Sequence, residues 1–158
     1  MSAAGISAGV GFRATVEVHI GQGLPTFTIL GRPDDVCRES RDRIRAAVTN
    51  SRLHWPTRRI TMNLLPSEQR KVGAALDVAM AVGLLIADEQ LPTTCADGLA
   101  FVGELALDGR IRPVTGVVAM VEAWRRALAS DAFRGVVVPR DNADEASVFG
   151  DVRVLVVD

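Results

Sequence analysis

Apolar and polar residues alternate along two stretches near the start of the chain, residues 14–21 and 26–29. In the first stretch Val16, Val18 and Ile20 share one face, opposite threonine, glutamate and histidine. A period of two is typical of a strand with one buried face. Because the segment GQGLP that separates the stretches is rich in turn-forming residues, we predict that the two strands form a β-hairpin.

The pattern changes to a helical period in PDDVCRESRDRIRAAVTNS, residues 33–51. Its proline and two aspartates suit the N-terminus of a helix. Alternation then returns in RRITMNLLP, residues 58–66, which predicts a strand with Ile60, Met62 and Leu64 on one face. The residues expected on the inner side of the helix are Val36, Ser40, Ile44, Ala47, Val48 and Ser51.

The second half of the chain alternates between strand and helix patterns. Residues 74–89 are apolar on nearly every side, which predicts an enclosed helix. The pattern as a whole predicts an α/β layer fold in which a β-hairpin is followed by alternating helices and strands. The remaining predicted elements are strands at 99–107, 110–114, 135–139 and 152–158, a turn at Asp108 and Gly109, a small helix at 141–150, and an amphipathic helix at 116–130 with Val117, Met120, Val121, Trp124 and Leu128 facing inward.

Length and composition favour a single domain. A chain of 158 residues is long enough to form one domain with its own buried core. No apolar run reaches the roughly 18 residues that span a bilayer, and the first residues lack the basic region of a secretory signal, so we expect a cytoplasmic protein without a membrane partner. Cys37 and Cys95 have no ligand-like spacing, which predicts two buried free thiols and no metal site.

Positive charge is concentrated in one part of the chain, although the net charge is only −1. Eight arginines and four acidic residues lie between positions 32 and 59, whereas from position 84 onward seven arginines face twelve acidic residues. On a single helix Arg38, Arg41, Arg45 and Arg52 would fall within a sector of about 60°. Such a stripe can contact nucleic-acid phosphates, a neighbouring subunit or only solvent. No aromatic residue accompanies the stripe on this helix, which argues against a base-stacking platform.

The sequence offers few groups for catalysis. Lys71 is the only lysine, and no GxxxxGK[ST] segment surrounds it, so we expect no ATP hydrolysis by this chain alone. Ser67 and Lys71 could form a serine–lysine dyad, but the polar residues between them argue against the desolvation that a neutral lysine requires. His19 and His54 have no ligand partner nearby in the sequence. Glu104 and Asp108 are expected to be surface residues on either side of a turn.

Four motifs in order resemble the N-terminal domain of the magnesium-chelatase-like AAA+ ATPases of the ComM/YifB family. They are TVEVHIGQGLPTFTILGRPDDVCRESRDRIRAAVTNS, WPTRRITMNLLPSEQRKVGAALDVAMAVGLL, FVGELALDGRIRPVTGV and VVVPRDNADEAS. The resemblance covers the chain from Ala14 onward. It divides the chain into a poorly matched segment, residues 1–13, and an accessory domain, residues 14–158.

The resemblance implies a fold like the catalytic domain of Lon protease, which is itself similar to the second domain of a small-subunit ribosomal protein. It also implies that a AAA+ module with its own P-loop, absent from this chain, binds ATP and magnesium. The implied partners are that module, neighbouring subunits of a homo-hexamer, and DNA. The resemblance also implies a motor that acts in DNA branch migration during natural transformation, as ComM-type members of the family do.

The resemblance further implies that protease chemistry is absent. The positions of the Lon serine and lysine correspond to Ala75 and Val118, neither of which can act as a nucleophile or a base. Ala74, Ala75 and Leu76 also replace a glycine or serine and an aromatic that usually precede Asp77 in the family. We therefore expect a non-catalytic accessory domain whose arginines, Arg38, Arg41, Arg45 and Arg52, serve DNA handling or ring assembly. The alternatives are a Lon-type serine hydrolase using Ser67 and Lys71, or a stand-alone peptide-binding or structural module.

Overall fold

A computed structural model describes residues 1–126 and 133–158 of the chain. The helices are α1 Asp35–Arg38, α2 Ser40–Asn50, α3 Asp77–Ala87, α4 Val117–Arg125 and α5 Ala143–Ala146. The strands are β1 Ser2–Ser7, β2 Val10–Gly21, β3 Thr26–Leu30, β4 Arg59–Leu65, β5 Leu99–Phe101, β6 Glu104–Leu105, β7 Ile111–Arg112, β8 Gly135–Pro139 and β9 Val154–Val157.

Seven of the strands in the described ranges form one mixed sheet in the order β3-β4-β2-β1-β5-β8-β9. β2 is antiparallel to both of its neighbours, and the other pairs are parallel. β6 and β7 form a separate antiparallel pair around the predicted turn. The α/β class predicted from the sequence is therefore confirmed.

The predicted hairpin of β2 with β3 is wrong. β4 lies between these two strands, antiparallel to β2 and parallel to β3. The β2–β4 ladder runs from Thr15 opposite Leu65 to Gly21 opposite Arg59. Its length gives β2 more backbone hydrogen bonds and cross-strand contacts than the short β3 could provide. The segment between β2 and β3 therefore crosses the position in the sheet that β4 occupies.

Residues 1–13 form the centre of the sheet. β1 pairs with β2 through a tight turn in which Ala8 and Gly9 both have positive φ, at 49° and 78°. β1 also pairs with β5, so it joins the two halves of the sheet. The hairpin that precedes the helices is thus β1–β2, and residues 1–13, which we expected to lie outside the accessory domain, are an integral part of the fold.

The segment predicted as one helix, residues 33–51, forms two helices. α1 begins after Asp34, whose side chain accepts a hydrogen bond from the Cys37 backbone N–H. Glu39 separates α1 from α2, so one helical wheel does not describe both helices. Val36 and Ser51, both predicted to face inward, are exposed because Val36 lies on the separate short helix and Ser51 follows the end of α2.

Helices cover the sheet on both faces. Successive residues of a strand point to opposite faces, and Ala3 and Ala4 of β1 accordingly belong to two different apolar clusters. One cluster contains the buried residues of α2 and α3, and the other contains those of α4 and α5. β8 is buried on both sides, as its apolar run predicted, and so are residues 3–5 of β1. β2 and β3 instead alternate between exposed residues and more buried ones along much of their length.

Most other predicted elements are confirmed with shifted ends. Ile60, Met62 and Leu64 of β4 are all buried, and α3 is enclosed but begins at Asp77 rather than at residue 74. Val117, Met120 and Val121 of α4 are buried and Trp124 is half-buried, whereas Leu128 lies outside the described residues. Of the part of the chain that the structure describes, no helix is long and apolar enough to cross a bilayer.

Candidate functional site

Helix α2 presents two contrasting faces. Its inner face packs Ser40, Ile44, Ala47 and Val48 against the core. Its outer face carries Arg41 and Arg45, both exposed, while Arg43 lies at the boundary. The helical period therefore separates two groups of charged residues into different environments.

Asp77 forms the centre of a buried polar cluster at the start of α3. Its side chain is fully buried, and it accepts hydrogen bonds from Arg43 Nε at 2.6 Å and from Ser40 Oγ at 2.5 Å. The Leu105 backbone N–H donates to it as well, at 3.2 Å. Arg43 is itself only 15% exposed, so the ion pair is shielded from water. This cluster joins α2, α3 and β6 and leaves Asp77 engaged in structural contacts.

Lys71 is only 1% exposed. A lysine is almost never buried to this extent unless its charged group has a partner inside the protein. Its Nζ donates to the carbonyl oxygen of Pro66, and burial lowers the pKa of Lys71. Its backbone N–H donates to the Arg32 carbonyl, while its own carbonyl accepts from the Asp34 N–H at 2.9 Å. Lys71 thus ties the segment before α3 to the segment before α1.

Asp34 completes this connection between the two segments. One carboxylate oxygen accepts from the Cys37 N–H at 2.8 Å, and the other accepts from the Gly73 N–H at 3.1 Å. The Cys37 thiol is buried and free, as predicted, and this burial raises its pKa to about 12. Cys95, by contrast, is exposed, and the prediction that both thiols are buried is wrong for it because it lies on a short surface turn, Thr93–Ala96.

The positions considered for catalysis are not arranged as a reactive pair. Ala75 is buried in the cluster with Val117, and Val118 is 38% exposed at the first turn of α4. Ser67 is exposed, whereas Lys71 is buried. Within residues 1–126 and 133–158, no hydrogen bond joins Ser67 to Lys71.

Other polar residues singled out in the sequence have local partners. His54 Nδ1 lies 2.8 Å from a carboxylate oxygen of Asp88. Asp88 also accepts a hydrogen bond from Arg58 at 3.0 Å. The sequence did not indicate this partner of His54. Glu104 lies 3.9 Å from Arg112 across the β6–β7 pair. In the described ranges, no group of three histidine, cysteine or acidic residues could hold a metal ion.

The four candidate arginines occupy different positions in the structure. Arg38 lies on α1, Arg41 and Arg45 lie on α2, and Arg52 follows the end of α2 with φ of 60°. Arg38 and Arg41 line one shallow groove against β3, and Arg41 and Arg45 line the groove next to it. Arg52 lines neither groove. The structure therefore brings three of the four predicted residues together and sets Arg52 apart.

Two aromatic residues lie beside these arginines, which the sequence did not indicate. Phe27 of β3 and Trp55, in the loop between α2 and β4, stack with ring centroids 5.8 Å apart and planes inclined by 20°. The Arg45 guanidinium carbon lies 6.0 Å from the centre of the Trp55 ring. The expectation that no aromatic accompanies the stripe is wrong, because both rings come from other elements. In the sequence, only the position of Trp55 shortly after the arginine-bearing helix could have indicated an aromatic neighbour.

Two of the exposed arginines are partly neutralised by local carboxylates. Arg38 pairs with Asp35 at 2.8 Å, and Arg41 pairs with Asp42 at 2.9 Å. The hydrogen bond from Arg41 lowers the pKa of Asp42. Arg45 has no carboxylate within ion-pair distance in the part of the chain that the structure describes. Exposed pairs of this kind are weak, so an anionic partner could replace them at little cost.

Comparison with known proteins places this arrangement in a family. Residues 16–142 match the family described as subunit ChlI of Mg-chelatase, so the chain belongs to that family. The chain is 38% identical over 137 residues to the competence protein ComM of Haemophilus influenzae and 39% identical over 144 residues to the protein YifB of Escherichia coli. It is 42% identical over 139 residues to an uncharacterised protein of Mycobacterium tuberculosis. The family resemblance predicted from the four motifs is confirmed.

The chain spans only part of each relative. The matches cover 87%, 91% and 88% of this chain but 26%, 28% and 27% of the ComM, YifB and mycobacterial proteins. The matched part is the N-terminal region of the ComM and YifB proteins.

Proposed function

We propose that this chain is a non-catalytic, Lon-like accessory domain of a hexameric, magnesium-chelatase-like AAA+ ATPase. In this proposal it supports ring assembly or DNA handling by a ComM-type branch-migration motor in the cytoplasm. ATP and magnesium would be bound by the AAA+ module, since this chain has no GxxxxGK[ST] segment. The observation that carries the proposal is the family match over residues 16–142, together with 38% identity to the competence protein ComM. It is supported by Ala75 and Val118, unreactive residues at the positions that the resemblance assigns to the Lon serine and lysine.

The polar residues around these two positions support a structural role. Asp77 is occupied by Arg43, Ser40 and a backbone N–H, and Lys71 donates to a carbonyl oxygen inside the protein. A general base must reach the proton that it removes, and neither residue is free to do so in this arrangement. Arg38 of α1 and Arg41 and Arg45 of α2 face outward instead.

The role of the arginines can be tested in the full-length protein. Reversing Arg38, Arg41 and Arg45 to glutamate should weaken salt-sensitive DNA binding or hexamer formation, because each lost cation removes a phosphate contact or a subunit ion pair. DNA binding would be measured across a salt titration, and hexamer formation by light scattering. Reversal of Arg112, Arg126 and Arg153, which are exposed elsewhere on the surface, provides a control with the same change in charge. If the two triple variants behave alike in both measurements, the assignment to α1 and α2 is wrong.

The competing hydrolase function has a direct test. The purified chain would be incubated with an activated ester and with an unfolded protein, and turnover compared between the unaltered chain and Ser67→Ala. We expect no turnover that depends on Ser67. Cleavage abolished by this substitution would replace the accessory-domain proposal with Lon-type serine hydrolysis.

A further inference from the structure

The groove between α2, β3 and the loop before β4 combines aromatic rings with arginines. We name it the Trp55 groove; it has a volume of about 270 Å³. Its walls come from three parts of the chain, residues 25–27, 41–45 and 55–60. The side chains that the argument uses are Phe27, Arg41, Arg45, Trp55 and Arg58.

The charge of the Trp55 groove selects an anionic ligand. Arg41, Arg45 and Arg58 line it, and Asp42 is its one acidic lining residue. Asp42 is already paired with Arg41, and Arg58 contacts Asp88, while Arg45 has no carboxylate partner among the described residues. A ligand that enters the groove therefore meets three guanidinium groups against one carboxylate, and one of these guanidiniums has no ion pair among the described residues.

The aromatic residues select a ligand with flat rings. Phe27 and Trp55 are half-buried and stacked, and the Arg45 guanidinium carbon lies 6.0 Å from the centre of the Trp55 ring. Nucleic-acid bases stack on aromatic rings and on arginine planes, and they do so with little dependence on sequence. A carboxylate peptide would satisfy the charges but would leave this stack without a matching surface.

The arginines continue beyond the Trp55 groove in one direction. The neighbouring groove along β3 is lined by Arg38 and Arg41, together with the apolar and hydroxyl side chains of Phe27, Thr28 and Ile29. Arg41 is shared by both grooves. A ligand that follows this path must carry repeated negative charges as well as exposed rings. A single strand of nucleic acid does so, whereas a duplex has its base faces covered.

We propose that the Trp55 groove is a subsite for one unpaired nucleotide of a single strand, with the base stacked against the Trp55–Arg45 pair and the adjoining phosphates held by Arg41 and Arg58. Arg38 contacts the backbone as the strand continues along β3. This inference rests on the proposed DNA-handling function and specifies the form of nucleic acid that the site accepts.

The test separates stacking from charge. The 158-residue chain would be titrated with labelled oligo(dT) of about 16 nucleotides and with an abasic strand of the same length, following fluorescence anisotropy. Trp55→Leu should weaken oligo(dT) binding about 5- to 100-fold and change abasic-strand binding less than about twofold, because only the bases lose a stacking partner. Arg41→Gln should weaken the binding of both strands, because the proposal assigns Arg41 to the phosphates that both strands carry. Trp55→Phe keeps a ring and should restore most of the oligo(dT) affinity.

Arg52→Gln is the matched control, because Arg52 is exposed on the same segment but lines neither groove. Arg52→Gln should change the affinity for either strand by less than about twofold, because it removes one positive charge that lies outside both grooves. Thermal unfolding followed by circular dichroism shows whether each variant is folded. A second measurement uses Trp124→Phe, which leaves Trp55 as the remaining tryptophan; oligo(dT) should quench its emission and the abasic strand should not.

Several outcomes would overturn the subsite. Equal affinity for oligo(dT) and the abasic strand would show that the groove binds phosphates and does not recognise a base. Affinity for a duplex or for polyglutamate equal to that for oligo(dT) would assign it to duplex DNA or to an acidic protein partner. If the chain binds no oligo(dT), the subsite is wrong, while the accessory role in ring assembly is still decided by the hexamer measurement on the full-length protein.

Discussion

The two sides of helix α2 carry the same residue type in opposite surroundings. Arg43 is enclosed by Asp77, Ser40 and the start of α3, whereas Arg45 lies exposed over Trp55 two residues further along. The first holds three elements together, and the second is available to a partner. The comparison teaches that in this domain burial and hydrogen bonding, rather than residue type, distinguish a structural arginine from a binding one.

The largest effect on stability should come from Asp77→Ala. Removing this carboxylate takes away the one buried anion that faces the shielded Arg43 guanidinium, which keeps the Val36 carbonyl, the Ser40 hydroxyl and the exposed Glu39 at 3.7 Å. It also leaves the Ser40 hydroxyl and the Leu105 N–H without this acceptor. We expect a loss of about 3–5 kcal/mol in the free energy of unfolding, measured by urea denaturation. Asp35→Ala, which breaks the exposed pair with Arg38, is the control and should cost less than about 1 kcal/mol. Equal losses in the two variants would remove the distinction between the two sides.

The next largest effect on the free energy of unfolding should distinguish two neighbouring residues of α2. Ile44 is fully buried, and Ile44→Ala should lower the free energy of unfolding by about 2–5 kcal/mol because it leaves a cavity beneath the helix. Arg45→Ala should change it by less than about 0.5 kcal/mol, since Arg45 is exposed. Both would be measured by urea denaturation under the same conditions. A large loss for Arg45→Ala would show that its contact with Trp55 is part of the core rather than of a binding surface.

The smallest effect concerns the pair between Arg41 and Asp42. A double-mutant cycle with alanine at both positions should give a coupling of about 0.2–1 kcal/mol, decreasing as salt screens the charges. The measurement is the free energy of unfolding at low and at high ionic strength. Coupling as large as that expected for Arg43 with Asp77, or coupling that salt does not affect, would contradict the view that Arg41 can exchange Asp42 for another anion.

The sequence predicted the local elements well and the pairing of strands less well. Periodicity located β2, β3 and β4 and the buried faces of α2 and α3, because side chains repeat with the period of the backbone. It did not predict that β4 enters between β2 and β3, since sequence proximity favours a hairpin and says nothing about a longer competing ladder. The central strand β1 was also missed, because SAAGIS has no alternation of polar and apolar residues. Both of its faces are covered.

The candidate site was predicted only in part. The clustering of arginines between positions 32 and 59 was visible in the sequence, and Arg38, Arg41 and Arg45 do line adjoining grooves. The break at Glu39 and the end of α2 at Asn50 moved Arg52 away from them. Phe27 and Trp55 could not be associated with the stripe, because they approach it only after β3 and β4 pair.

The sequence by itself determined the family, the α/β class, the absence of a Walker A segment and the apolar residues that form the core. These properties depend on residue identity and on short-range periodicity, which a chain carries before it folds. Only the tertiary structure decided which arginine is buried, which residues line the Trp55 groove and which strands are neighbours. Those properties depend on contacts between distant segments, and such contacts are selected by the burial and hydrogen bonding of the whole sheet.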